Sequence, residues 1–301
     1  MKTAISGASG LIGQALFKAL KNKGHSLTRL VRKHEQAQQE GFCYWNPYKN
    51  EIDAKCLEGH DVVIHLAGAG IADKRWTDER KRLILESRTK GTTLIAKCIA
   101  GLSSPPKLFI SASATGYYGT LPACRQADES CPHGNGFLAD VCLQWEQAAN
   151  PAKEAGIRTV HPRFGVVLSK DGGMLARLLP VFKKGLGGKV GDGRQILSWI
   201  GVDDLIGALL HIIEHPEIEG PVNLVAPNPV TNREFTAALA QAVKRPAFLP
   251  LPSFVARLAF GEMAEELLLA GAGIRCMVLH DSGYTFKHTH LKDALADLLL
   301  L

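Results

Sequence analysis

Met1-Lys2-Thr3-Ala4-Ile5-Ser6-Gly7-Ala8-Ser9-Gly10-Leu11-Ile12-Gly13 is the stretch that decides the fold. A short apolar strand runs straight into three glycines spaced three apart, and an amphipathic helix with Leu16 and Leu20 on one face follows. That order is the opening of a dinucleotide-binding strand–turn–helix unit. Gly7 permits the tight turn, Gly10 lets backbone approach a pyrophosphate, and Gly13 lets the helix pack close to its strand. The unpaired N–H groups around Ser9, Leu11 and Ile12 then face the phosphates.

The second strand narrows the cofactor. Gly24 and His25 end the first helix, and Ser26 to Val31 reads as a strand followed by Arg32 and Lys33. In NAD-binding proteins of this architecture an acid at this point takes the ribose 2′-hydroxyl. A carboxylate would repel a 2′-phosphate, whereas a guanidinium grips one with two parallel hydrogen bonds. NADP(H) is therefore favoured over NAD(H), against the plainer reading of a solvated basic turn.

The rest of the composition fits a cytoplasmic enzyme-sized chain. Its 301 residues suffice for one large domain or two unequal ones. The net charge of +6 is spread along the chain, which argues against nucleic acid and for an anionic cofactor or substrate. Seven dispersed cysteines, at 43, 56, 98, 124, 131, 142 and 276, show no metal-binding spacing and read as reduced thiols. The apolar N-terminus reads as a strand and not an export signal, and no uncharged run is long enough for a membrane span.

Strand and helix signals alternate through the first two thirds of the chain. Asp61 to Gly68 is a buried type of strand ending in Leu66, Ala67 and Gly68, and Thr77 caps a basic helix over 78–100. A strand over Lys107 to Ser111, a helix over 137–155, a strand over 158–168 and a last strand over 222–226 follow. The expected fold is α/β: a Rossmann-type doubly wound parallel sheet with ligands at the C-terminal strand ends, plus a smaller, mostly helical C-terminal substrate domain. Residues 1–168 plus 199–228 form the NADP-binding domain in this reading. Residues 169–198, read as loop-like over 170–198, plus 229–301 form the small domain.

Several motifs resemble the atypical extended short-chain dehydrogenases/reductases of the epimerase family nearly end to end. They are Gly7 to Gly13, Ile71 to Trp76, Ser113 to Gly119, Gly185 to Gly188 and Ser198 to Asp204, with Pro229 to Phe235 and Gly261-Glu262 resembling that group's small domain. The resemblance implies an NADP-binding fold and a homodimer paired through the helices at 78–100 and 137–155. It also implies a serine, a tyrosine and a lysine at the catalytic centre, with an upstream asparagine. Ser113 holds the serine place. With Glu146 as register mark, Leu138 stands where tyrosine belongs and Cys142 where lysine belongs, while Arg88 replaces the asparagine.

Leucine cannot transfer a proton, and a free thiol of pKa about 8.5 is mostly neutral. Arg88 either restores positive charge beside the cofactor, for which Ser111 is a further candidate contact, or is a helix-surface arginine. Cys142 is either a site residue or a small buried filler. Tyr117 and Tyr118 are the remaining candidate acids at the mouth of the site, unless one ring packs and the other is exposed. Arg75 and Trp76, with Arg194 and Trp199, form a candidate pocket for a small polar, anionic or nucleotide-linked substrate; Trp76 alternatively anchors the following helix. Asp203 and Asp204 read as an N-cap to a helix over 205–214. Two functions stay open: an NADP(H)-dependent oxidoreductase or epimerase with Ser113 polarising a carbonyl, and a cofactor-binding sensor or scaffold without chemistry.

Overall fold

The computed structural model describes residues 1–122 and 126–299; Cys124 lies outside these. The main sheet is built from β1 (Lys2–Ser6), β2 (Ser26–Val31), β3 (Phe42–Asn46), β4 (Glu51–Ile52), β5 (Val62–His65), β6 (Leu108–Ser111), β7 (Arg158–Phe164) and β8 (Gly220–Leu224). Their spatial order is β8-β7-β6-β5-β1-β2-β3-β4, and the short strand Ser113–Ala114 adds to β7. Every pairing is parallel except β3 with β4. The chain winds outward from β1 to β4, then returns to β5 on the other side of β1. The C-terminal ends of β1 and β5 therefore flank the switch point, where doubly wound sheets bind ligands.

Helices cover both faces because the strands are apolar on both. α1 (Leu11–Asn22) lies on one face; α2 (Asp78–Ala100), α3 (Phe137–Gln147) and α4 (Asn150–Glu154) belong to the other side. On the first face Ile5, Ile64, Ile110 and Val160 pack with Leu16 and Leu20 of α1 and with Leu205 and Leu209. On the second, Ala4, Val63 and Phe109 pack with Ile95 and Ile99 of α2. The hydroxyl of Thr77 caps α2 by accepting from Arg80 N at 3.2 Å, as the sequence led one to expect. The helix over 137–155 is instead two helices, parted at Ala148–Ala149 just ahead of Pro151.

Gly165 breaks the expected 158–168 strand. A Cβ there would stand 2.7 Å from Ser198 O, so only glycine lets the strand pass. Beyond it Val166–Ser169 leaves the main sheet and pairs in parallel with Trp199–Gly201. The segment read as loop-like contains α5 (Gly173–Lys183), and α6 (Val202–Glu214), α7 (Asn232–Ala242), α8 (Ser253–Phe260) and α9 (Leu291–Leu298) complete the set used below. Leu175, Leu179, Phe182, Trp199, Phe235, Leu239 and Leu295 close a separate small core. Asp203 and Asp204 sit in the first turn of α6, whose N-cap is Gly201. Asp204 is buried and accepts from the backbone N–H of Lys287 and His288, so it anchors the C-terminal segment and does not cap a helix.

Candidate cofactor and substrate site

The glycine turn is a cradle that any larger residue would fill. Gly7 has φ +74°, and a Cβ on it would lie 2.8 Å from Ala67 N and from Leu66 C at the end of β5. A Cβ on Gly13 would stand 2.2 Å from Gly7 O. Gly10 is the N-cap of α1 and supplies no side-chain acceptor, and the first turn holds no acid. The N–H groups of Leu11, Ile12 and Gly13 thus open toward the switch point with the helix dipole behind them, a site built for phosphate. The residues present fit a dinucleotide.

Two further features shape this cleft. The register Ser6 with Leu30 sets Arg32 and Lys33 beside the glycine turn. Both are exposed, and their side chains have no hydrogen-bond or ion-pair partner among the described residues. On the other flank, the loop after β5 is fastened to α2. Ala69 N donates to Ser87 Oγ at 3.0 Å, and Arg88 Nη1 donates to Ala69 O and Ile84 O, each at 3.0 Å. The Arg88 guanidinium lies 4.9 Å from the Trp145 ring centroid, and a Cβ on Gly68 would touch it at 3.3 Å. It is an inward-turned arginine bordering the cleft, not a surface one, and burial lowers its pKa.

Below the cleft, His65 Nδ1 meets Ser6 Oγ at 2.5 Å and ties the ends of β5 and β1 together. Burial, helped by the Arg88 charge, pushes the imidazole down to about 3, so it is neutral. Its Nε2 is buried without a partner among the described residues, as is Ser111 Oγ at the end of β6.

Two of the catalytic candidates, Ser113 and Tyr118, are joined by one buried polar chain that sequence reasoning did not foresee. Ser113 Oγ donates to Glu146 Oε1 at 2.6 Å. Arg163, from the end of β7, clamps the same carboxylate with Nε to Oε1 at 2.8 Å and Nη2 to Oε2 at 2.9 Å. Its Nη1 donates to the Tyr118 hydroxyl at 2.8 Å, which donates to Asn223 Oδ1 at 2.8 Å. The guanidinium also stacks 3.5 Å from the Tyr117 ring centroid. Burial opposes the charge on Arg163, but the hydrogen bonds and charge of Glu146 outweigh it and raise its pKa.

This arrangement revises several expectations. Tyr118 is 2% exposed and burial raises its phenol to about 12, so it is a fixed strut and not an acid at the site mouth. Tyr117 is the half-buried ring of the pair. Cys142 is buried, and burial followed by the Glu146 charge raises its thiol to about 12, so it is neutral. It packs with Leu138 against Gly116, where added Cβ contacts would fall at 3.5 and 3.7 Å. Ser113 gives its only proton to Glu146 and cannot also donate to a carbonyl; toward a ligand it is an acceptor.

The four residues expected to form a substrate pocket are not brought together. Trp199 is fully buried in the small core with Nε1 donating to Asn228 O at 3.0 Å. Trp76 is buried and donates to Ile71 O at 2.8 Å, anchoring its own loop. Arg194 is at the surface beside Asp192, at 4.0 Å. Arg75 Nη1 donates across to Leu258 O of α8 at 3.4 Å. Its loop is further held by Arg177 Nη2 on Asp73 at 2.9 Å. Lys81 pairs with Glu262 at 2.8 Å, and Glu266 accepts from Phe137 N and Leu138 N at 2.9 and 3.0 Å, capping α3. Residues 258–266 thus grip the rim of the cleft.

Fold and cradle together define a doubly wound nucleotide-binding α/β protein of the short-chain dehydrogenase/reductase kind. Residues 3–225 match the NAD dependent epimerase/dehydratase family and residues 251–298 a domain of unknown function, DUF1731; the chain belongs to this epimerase/dehydratase family. It is 44% identical over 292 residues to an epimerase family protein of Mycobacterium bovis, spanning 97% of this chain and 95% of that one. The crystal structure of the human epimerase family protein SDR39U1 (isoform 2) with NADPH superposes with a TM-score of 0.91 at 33% identity, covering 100% of this chain and 99% of the other. The UDP-glucose 4-epimerase of Thermus thermophilus, solved with NAD, superposes at 0.74 with 18% identity over 100% and 99%, a likeness of fold alone. Among the described residues no helix is long and apolar enough to cross a membrane.

Proposed function

We propose that this protein binds NADP(H) and carries out oxidoreductase or epimerase chemistry on a small polar, nucleotide-linked substrate by a proton route that does not use a Tyr-x-x-x-Lys pair. The glycine cradle and uncapped start of α1 carry the cofactor half of this reading. Arg32, exposed and unpaired beside the turn, is the residue that selects the 2′-phosphate. The human relative solved with NADPH supports the same choice. When bound, the nicotinamide supplies or accepts hydride. The chain's own residues provide the surroundings: Arg88 borders the cleft with positive charge, Glu146 and Arg163 fix the Ser113 hydroxyl, and Ser113 offers lone pairs to a substrate donor such as a hydroxyl.

A second reading, cofactor binding without turnover, is favoured by Leu138 and the buried, neutral Cys142 at the tyrosine and lysine places and by the Ser113 proton being taken by Glu146. Calorimetric titration with NADPH and NADH on wild type and Arg32→Ala tests the cofactor. Loss of a charge-assisted contact of about 1.5–3 kcal/mol weakens NADPH by about 10- to 150-fold and leaves NADH unchanged. Equal affinities in wild type would refute the assignment of Arg32. Stereospecific deuterium transfer from C4-labelled NADPH to added carbonyl compounds, or NADP+-dependent interconversion of nucleotide sugars, separates the readings; tight binding with neither favours the second.

A further inference from the structure

A pair of thiols lies outside the site just described. Cys43 of β3 is 1% exposed, and Cys56 is half-buried on the short helix Ala54–Leu57 that follows β4. Cys43 Sγ donates to Asp53 O at 3.6 Å, and Asp53 is the N-cap of the helix bearing Cys56. Cys56 Sγ in turn reaches Phe42 O at 3.9 Å, the residue next to Cys43. Each sulfur therefore lies against backbone beside the other cysteine, since Asp53 caps the helix that carries Cys56 and Phe42 precedes Cys43. Both pack in the cluster under α2 that also contains Cys98.

We propose that Cys43 and Cys56 are an oxidisable pair that closes to a disulfide on exposure to peroxide. Cys56 is the attacking sulfur, being the more open of the two. The neighbouring Cys43 thiol holds it below the ordinary thiol value, despite opposition from burial and Asp53. The Cys56 thiolate attacks one peroxide oxygen, the O–O bond breaks, and hydroxide leaves and is protonated to water, giving a sulfenic acid. The Cys43 sulfur then attacks the Cys56 sulfur, the S–O bond breaks, and the Cys43 proton leaves with the hydroxyl as a second water. Two thiols have lost two electrons to one peroxide. Closure ties β3, beside the strand that ends at Val31 just before Arg32, to the helix beyond β4.

The test is peroxide treatment of the reduced, folded protein, alkylation under denaturing conditions and non-reducing tryptic mapping. A linked pair of peptides, 34–49 with 56–74, two hydrogens lighter than their sum, is expected. It should form at least about tenfold faster than any oxidation of buried Cys142. Cys56→Ser should abolish it. Cys43→Ser should leave a sulfenic acid at 56 that dimedone traps. Cys98→Ser should leave the rate of linkage unchanged and controls for the neighbouring thiol. Full alkylation of both Cys43 and Cys56 in oxidised wild type, or a crosslink to Cys98, would overturn the proposal. The readout needs no cofactor, so it stands or falls apart from the assignment of NADP(H).

Discussion

Arg163→Met is the most informative single perturbation of the buried chain. Arg163 is 2% exposed and makes two charge-assisted hydrogen bonds to Glu146 and one to Tyr118. Methionine keeps much of the volume, so the cavity contribution is small and the cost is electrostatic. Glu146, its side chain only 13% exposed, is left without its counter-charge. Removing one partner of such a pair costs about 3–5 kcal/mol. With an unfolding entropy of about 2.1 cal/mol/K per residue, a chain this long changes by roughly 0.6 kcal/mol per degree, so Tm falls by about 5–8 °C. Calorimetry and urea unfolding of Arg163→Met, Glu146→Leu and the double variant complete the cycle. The double variant, having lost both charges, should regain at least about 2 kcal/mol over the sum of the singles. A single-variant loss under about 1 kcal/mol, or strict additivity, would show that the pair does not hold this site together.

Three other outcomes are expected. Gly13→Ala puts a Cβ 2.2 Å from Gly7 O, so α1 must shift; NADPH binding heat should vanish with a stability loss of about 1–3 kcal/mol, and wild-type affinity would contradict the cradle. His65 is depressed to about 3 in the folded state, so below about pH 6.5 the unfolded chain binds the extra proton and stability drops by up to about 1.4 kcal/mol per pH unit down to the folded value. His65→Gln should flatten the urea-midpoint slope between pH 7 and 5, and parallel slopes would exclude the effect. Glu266→Gln should cost about 1–2 kcal/mol and speed amide exchange at Phe137 and Leu138, while unchanged exchange would mean the cap is dispensable.

Much of the fold was legible because its signals are local. The glycine spacing and the Thr77 cap follow from short-range sterics and fell where read, while the apolar strands were found with other bounds, Val62–His65 for 61–68 and Gly220–Leu224 for 222–226. β3 was missed although Phe42, Tyr44 and Trp45 mark it, because a five-residue strand between polar turns carries little signal. α5 was read as loop since glycines surround it and Pro180 lies inside it. The substrate pocket inferred from Arg75, Trp76, Arg194 and Trp199 failed for a different cause. An aromatic ring beside a cation has the same one-dimensional signature whether it lines a pocket or fills a core.

The sequence by itself determined the doubly wound sheet, the phosphate cradle and the absence of tyrosine and lysine from their usual places, because each depends on residue type at fixed local spacing. Only the tertiary structure decided what Ser113 does. Its partner Glu146 lies 33 positions away, the Arg163 that clamps Glu146 lies 50 away, and Asn223, at the far end of the same chain of bonds, comes from the edge strand β8. A hydroxyl's role is set by which group takes its proton, and that partner is chosen by how strands and helices meet in space.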